Sequence, residues 1–331
     1  MERILLICQV HSNIGIGHLS RLLALAETLR KDNRLVPEFL IFGDPIKKAD
    51  LAKFRVHSFP MTADFSNTIN KILSTNEHAV LVFDCYPNII HDNLKKLFKQ
   101  MKKRGLILIS IDALIEHCDI LDLIWVPTFN FDFSEHTHCN SILKSGWDSF
   151  LIQKRLKHTK WSPGSKVLVL TGGSDVAKLA ETLPAQLDEM LGEDTDIHWV
   201  RGPFSDAPIL PNIRRLNWTI HNAPERLDEL IVQSDYVLTV FGVSFFEVLQ
   251  YGIPTVVFSP YGSKDHKELD ALSTEGVARV SSDPIGAINS LIELMSNDNL
   301  GRDYSANALR KMSTNGVQNL CNEIYTLMRL K

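Results

Sequence analysis

The chain has 331 residues, 44% hydrophobic and 22% charged, with 35 Lys and Arg against 39 Asp and Glu and a net charge of −4. That is too long for one ordinary hydrophobic core and comfortable for two, and no apolar stretch approaches the roughly 20 residues that span a bilayer. No nucleic-acid track is expected, because the one basic run, Lys102-Lys103-Arg104, suits the C-terminal end of a helix, where cations complement the dipole.

In chain order, the first apolar run, residues 4–10, lacks the basic start and small-residue cleavage site of a secretory signal. Five cysteines (Cys8, Cys85, Cys118, Cys139, Cys321) lie far apart with no CxxC, so the expectation is reduced thiols and a cytoplasmic location. A glycine-containing turn, Asn13-Ile14-Gly15-Ile16-Gly17-His18-Leu19-Ser20-Arg21, then opens a helix over 18–31, whose Leu19, Leu22, Leu23, Leu25, Ala26 and Leu29 form one apolar face. Strands follow at 36–42, 55–59, 79–83 and 106–111, with helices at 65–73 and 88–103 and short apolar runs at 123–126 and 141–143. His136-Thr137-His138-Cys139 hints at metal ligation but has no matching second half, so it reads as a polar loop and no metal site is expected.

Residues 153–165 are polar and basic and end just after Pro163-Gly164, which reads as a linker. Beyond it the alternation resumes, with strands at 166–170, 197–200, 236–240, 255–258 and 278–280. Helices are expected at 176–191, 224–233, 244–251, 267–275 and 284–296, and a long one at 304–328 that contains Gly316. The fold class is therefore α/β, two doubly wound Rossmann-like domains facing across a cleft. The boundaries are 1–152 for an acceptor or sugar-side domain, 153–165 for the linker, 166–302 for a nucleotide-binding domain, and 303–331 for a helix crossing back to the first domain.

Ligands of open α/β sheets bind at the carboxyl ends of the strands, and four signals fall there. Gly15 and Gly17 allow a tight turn and close approach of a ligand. His18 sits at the positive end of its helix, where imidazolium is disfavoured, so it can serve as a proton acceptor; the bland alternative is a turn-closing histidine. Gly15-Ile16-Gly17 also begins a GxGxxG with Asp44 past the second strand, but Ser20 occupies the third glycine position, which counts against a nicotinamide cofactor. Thr171-Gly172-Gly173-Ser174-Asp175 is a small turn before a helix, able to turn main-chain N–H groups towards a diphosphate, or simply a tight turn. Gly242-Val243-Ser244 is a second such turn; Glu247, expected in the first turn of the helix that follows, either accepts from two ribose hydroxyls or is a surface carboxylate favoured by the dipole. Finally, Phe83-Asp84-Cys85-Tyr86 and Ser110-Ile111-Asp112 bring Asp84, Tyr86 and Asp112 to strand ends, where an aspartate can orient His18, grip sugar hydroxyls or cap a turn.

These signals, in this order, resemble the GT-B glycosyltransferase superfamily. The nearest resemblance is to the UDP-sugar hydrolase of pseudaminic acid biosynthesis and its relatives in spore-coat polysaccharide synthesis. It rests on Gly15-Ile16-Gly17-His18-Leu19-Ser20-Arg21, Asp84-Cys85-Tyr86, Ile111-Asp112 leading to His117-Cys118-Asp119, Gly146, Gly172-Gly173-Ser174-Asp175, and Glu247 with Gly252-Ile253-Pro254. Three departures stand out. The hydrolases carry Asp-His-Tyr where this chain has Asp84-Cys85-Tyr86, paired aspartates where it has Asp112-Ala113, and an Asn-Gln pair in the region of residues 260–266. The resemblance implies an enzyme of inverting glycosyl transfer from a nucleotide sugar, with His18 as base, residues 172–175 and 242–247 holding the donor, a small-molecule or glycan acceptor, and no metal or other cofactor. UDP-sugar hydrolysis, with water as acceptor, and binding of a nucleotide sugar without turnover are the alternatives.

Overall fold

The structure, a computed structural model, describes residues 2–12, 15–46, 48–75, 77–86, 93–136, 138–157 and 160–330. The chain divides into two compact units, one formed by Met1–Ile152 with Thr314–Lys331 and the other by Gln153–Ser313.

The first unit is built on strands β1 (Glu2–Val10), β2 (Leu35–Gly43), β3 (Arg55–Phe59), β4 (His78–Asp84), β5 (Ile107–Ile111), β6 (Leu123–Trp125) and β7 (Ile142–Lys144). Helices α1 (Gly17–Asp32), α2 (Phe65–Thr75) and α3 (Leu94–Lys103) belong to it. Every strand pairing is parallel, in the order β3-β2-β1-β4-β5-β6-β7. Strand β1 is central, with Leu6 opposite Phe39 on one side and Val82 on the other. It is therefore covered on both faces, and its unbroken run Ile4-Leu5-Leu6-Ile7 follows from that position. The anticipated start of α3 at residue 88 falls partly outside the described residues; the helix itself begins after Asn93, whose side chain accepts from Lys96 N.

The second unit repeats the plan with β8 (Lys166–Leu170), β9 (Asp196–Arg201), β10 (Asn217–Asn222), β11 (Tyr236–Val240), β12 (Thr255–Phe258) and β13 (Arg279–Ser281). Its helices are α4 (Leu179–Met190), α5 (Leu227–Val232), α6 (Val243–Leu249), α7 (His266–Glu275), α8 (Pro284–Met295) and α9 (Asp298–Lys311). The sheet is again parallel, in the order β10-β9-β8-β11-β12-β13. Two described residues of the polar segment pack on this unit: the Trp161 indole is buried and donates to Asp235 O at 2.6 Å, while Lys154 Nζ donates to Gln250 O at 2.9 Å.

Three local expectations are corrected. Strand β10 was not anticipated; it is an edge strand without a fully buried residue, so its sequence Asn-Trp-Thr-Ile-His-Asn carries no apolar run. The single terminal helix is two helices, α9 and α10 (Gly316–Arg329), because Asn315 starts a new one by accepting from Gln318 N. A side chain at Gly316 would lie 2.4 Å from Phe150 O, so glycine is required there for close packing. Helix α10 packs on α1 in the first unit, where Tyr325 donates to Asp32 Oδ2 at 3.2 Å. Third, Cys118 and Cys139 form a disulfide, so the expectation that all the thiols are reduced fails for this pair. Cys8, Cys85 and Cys321 are free and buried. No helix among the described residues is long and apolar enough to cross a membrane.

Candidate active site

In the first sheet the strand order reverses between β1 and β4, the place where doubly wound sheets open for ligands. Three of the anticipated side chains meet there. His18 is the second residue of α1, Asp84 ends β4, and Asp112 follows β5. His18 Nδ1 lies 2.6 Å from Asp84 Oδ1. An ionised carboxylate can only accept, so Nδ1 carries a proton, and in the neutral ring the lone pair is then on Nε2.

A fourth residue ties the group together. Arg21, one turn beyond His18 on the same face of α1, donates from Nε to Asp84 Oδ2 at 3.0 Å and from Nη2 to Asp84 Oδ1 at 2.7 Å. Its Nη1 donates to Asp112 Oδ2 at 2.8 Å. Nη2 also lies 3.0 Å from His18 Nδ1, but in the tautomer above both atoms bear hydrogens, so that approach is packing rather than a bond. Asp84 is fully buried, and burial alone would raise its pKa; the Arg21 guanidinium and then His18 outweigh this and hold the carboxyl below its usual range. Burial alone would lower the Arg21 pKa, but Asp84 and then Asp112 reverse the sign and hold it well above the ordinary value. With neutral His18 the network holds two carboxylates against one guanidinium, so a proton arriving on His18 brings it to neutrality.

Asp112 has φ of +71°, a left-handed conformation, and its side chain is 47% exposed. Aspartate tolerates that region better than most side chains. One oxygen is held by Arg21 while the carboxylate still reaches solvent. Tyr86 is 41% exposed, and its main-chain N–H donates to the buried Gln9 Oε1 at 2.8 Å. Cys85, which stands where the resembling hydrolases have histidine, is buried, and burial, Cys8 and Asp84 push its thiol pKa up. Gly15 turns the chain at φ +79° and donates to His11 O at 2.8 Å, and Gly17 starts α1. Asn13 and Ile14 of the same motif lie outside the described residues. Asp44, which a nicotinamide reading would assign to a ribose, accepts from Ser12 N at 3.2 Å and so braces this turn.

In the second sheet the order reverses between β8 and β11, and both anticipated turns lie there. A side chain on Gly172, which has φ of +89°, would come within 3.7 Å of Val240 Cγ2, so the turn after β8 sits beside the end of β11. The carbonyls of Gly172 and Gly173 face Gly202, where an added Cβ would lie 2.4 Å from the first and 2.5 Å from the second. Phe204 N donates to Gly173 O at 2.9 Å. Thr171 Oγ1 and Ser174 Oγ are buried and lack a hydrogen-bond partner, a state that costs free energy unless a ligand supplies the bond.

Two expectations change here. Helix α4 starts at Leu179 rather than 176, and Asp175 fills its N-terminal end, accepting from Leu179 N at 3.0 Å and Ala180 N at 2.8 Å. Asp175 thus caps the helix from its own chain, and those N–H groups are not open to a diphosphate. Burial raises its pKa despite the two bonds. Glu247 is the fifth residue of α6, not in its first turn, so the dipole argument for that carboxylate lapses. Gly242 precedes α6 as its cap residue, Val243 and Ser244 are its first two residues, and no side chain caps it.

Two participants were missed in the sequence. Arg21 stands in the glycine-histidine motif, and its three-residue spacing from His18 signals a shared helix face. Gly202 sits just beyond the end of β9, and strand-end placement was the signal available for it.

No family model matches the chain. It is 27% identical over 269 residues to an uncharacterized protein of Methanocaldococcus jannaschii, covering 74% of this chain and 53% of that protein, so the chain spans about half the length of the curated relative it matches. Among solved structures it is similar to MurG of Acinetobacter baumannii (TM-score 0.65, 14% identity, 98% of this chain and 100% of that one). It is also similar to Phytolacca americana UGT2 complexed with UDP-2fluoro-glucose and pterostilbene (TM-score 0.68, 12% identity, 98% and 99%). A third similar structure is UDP-GlcNAc 2-epimerase of Neisseria meningitidis bound to UDP-GlcNAc (TM-score 0.63, 11% identity, 98% and 100%). The chain has the two-domain, Rossmann-like GT-B fold.

Proposed function

We propose that the protein is an inverting glycosyltransferase that takes its sugar from a nucleotide-sugar donor, with surface-glycan or glycoconjugate assembly as its setting. The observation that carries this reading is the His18–Asp84 pair at 2.6 Å, with Nε2 left as the basic atom. His18 Nε2 removes the acceptor's hydroxyl proton as that oxygen attacks the anomeric carbon from the face opposite the leaving diphosphate. Asp84 steadies the imidazolium that forms, a familiar use of a buried carboxylate behind a histidine base. Asp112, half exposed and held by Arg21, takes sugar or acceptor hydroxyls, and Tyr86 lines the same side.

The second unit holds the nucleotide. Thr171 Oγ1 and Ser174 Oγ donate to the diphosphate along with N–H groups of the 172–174 turn, and the Gly242–Val243–Ser244 turn supports it. Donors already aimed at developing negative charge are worth more away from bulk water, and they carry that charge in this reading without a metal. Glu247 accepts from the ribose hydroxyls. The similar structures complexed with UDP-2fluoro-glucose and bound to UDP-GlcNAc support the donor class, and the UDP-GlcNAc 2-epimerase among them makes sugar isomerisation a further outcome to score. Hydrolysis uses the same residues with water in place of the acceptor.

The test is a panel of UDP-, CDP-, CMP-, GDP- and dTDP-sugars analysed by mass spectrometry and NMR, with and without cell extract. A glycoconjugate of inverted anomeric configuration, formed only with extract, is the expected product. Free sugar without extract assigns hydrolysis, an isomerised sugar nucleotide assigns epimerisation, and no binding or turnover of any donor overturns the reading.

A further inference from the structure

In the first unit, away from the His18 network, the segment after β5 meets the loop between β6 and β7 at Cys118 and Cys139. Their Cα atoms are 5.1 Å apart. Cys118 O accepts from Asn140 N at 3.1 Å and from Ser141 N at 3.0 Å, and also from Ser141 Oγ at 2.8 Å. These bonds hold the two loops together independently of the sulfur–sulfur link, so the cysteines stay neighbours when that link is open. His138 precedes Cys139, and one ligand atom from each of Cys118, His138 and Cys139 lies within 4.8 Å of the others. Cys118 is buried, Cys139 half-buried and His138 exposed, so the group is anchored on one side and reachable from the other.

Two sulfurs and an imidazole are the donor set that soft or borderline divalent cations select. In tetrahedral coordination with Zn–S near 2.3 Å the sulfurs sit about 3.8 Å apart, a small opening from the disulfide. We propose that Cys118, Cys139 and His138 form a binding site for a thiophilic divalent cation of the zinc class when the cysteine pair is reduced, with water at the fourth position. A thiol or phosphine reductant breaks the S–S bond, supplying two electrons, and each sulfur takes up a proton. Metal binding then releases both thiol protons, and neutral His138 contributes a ring-nitrogen lone pair. The site fastens the segment that leads from Asp112 to Cys118 and is independent of the glycosyltransferase reading.

The experiment uses the full chain, reduced with a phosphine and titrated with Co²⁺ followed by Zn²⁺. One equivalent of Co²⁺ with thiolate-to-cobalt charge-transfer absorption, bleached by Zn²⁺, is expected. Cys139→Ser removes that absorption, and His138→Ala, a change at an exposed residue, weakens binding by about tenfold or more, one tenfold step being about 1.4 kcal/mol. A reduced protein in which Cys118 and Cys139 titrate as free thiols in the presence of Co²⁺ and no charge-transfer band appears overturns the site. So does a pair that stays bonded under reductant, or a band unchanged in both variants.

Discussion

The two switch points of this chain are built from different materials. In the first unit the site is made of charged side chains that hold one another: Arg21 bonds both Asp84 and Asp112, and Asp84 bonds His18. In the second unit it is made of main chain and hydroxyls, with Gly172 and Gly173 against Gly202, and Thr171 and Ser174 without partners of their own. The charged groups of the first partner one another, whereas two buried hydroxyls of the second, on Thr171 and Ser174, lack a partner. That contrast points to chemistry in the first and binding in the second, and it can be broken from either side.

The largest effect is expected at His18. His18→Asn should lower turnover by roughly 10²–10⁴-fold while leaving nucleotide affinity, measured by calorimetry, near wild type. A variant that folds, binds nucleotide and still turns over normally would falsify the base assignment and move it to Asp84 or Asp112.

Next comes Asp84→Asn. It leaves the buried Arg21 facing an amide, and breaking a buried pair on one side costs about 3–5 kcal/mol. The amide can also present N–H to Nδ1, which favours the wrong tautomer, so turnover should fall together with the thermal midpoint. The sign of the pH dependence follows from the depressed pKa of Asp84, where Arg21 and His18 outweigh burial. Its stabilisation is present above the ordinary carboxylate pKa of about 3.9 and is lost as pH falls through the lower folded value. The acid limb of stability against pH should therefore flatten in Asp84→Asn. An unchanged limb would remove Asp84 as its source.

On the binding side, Glu247→Ala should weaken donor affinity by about tenfold to a hundredfold, the worth of a hydrogen bond involving a charged group, with unit 1 unaffected. Equal UDP affinity in both proteins removes Glu247 from the nucleotide. Gly202→Ala should act on the same property through shape. Its Cβ would lie 2.4 Å from Gly172 O and 2.5 Å from Gly173 O, so the turn must shift. Overpacking of this kind costs about 1–3 kcal/mol. Lower donor affinity, with turnover at saturating donor kept, is the expected pattern; loss of saturated turnover as well would show that the two sites are not separable.

The parts that were legible in the sequence share a physical cause. Buried parallel strands read as apolar runs, so β1, β4, β8 and β11 and the turns after them could be placed. Edge strand β10 could not, because it is half solvated and its residues carry no such signal. The meeting of His18 with Asp84 is a contact across 66 residues that strand order creates, and only the strand-end position of each was visible. Arg21 lay within one helical turn of His18 and was nearer to being read. The capping role of Asp175 stayed hidden because it depends on where α4 begins, and the Cys118–Cys139 pairing because two loops create it.

The smallest expected effect tests how far the charged network extends. Asp112→Asn keeps the size of the side chain, and asparagine accepts a left-handed backbone at least as well, so the φ of +71° adds no strain. The ion pair it removes is half exposed on the Asp112 side, where such pairs contribute about 0–1 kcal/mol. Stability should therefore change by no more than about 1 kcal/mol, and Asp84 keeps both of its bonds from Arg21. What does change is the charge balance: the network falls from one carboxylate in excess to none, so protonating His18 then adds an uncompensated positive charge. Turnover should fall in Asp112→Asn, because the imidazolium formed as His18 takes the acceptor's proton is no longer balanced by this carboxylate, and KM should rise if the carboxylate also takes sugar hydroxyls. A lowered kcat with unchanged KM makes Asp112 a positioning residue for His18, and a raised KM with unchanged kcat makes it a sugar contact. An unaltered profile in both respects confines the working network to His18, Asp84 and Arg21.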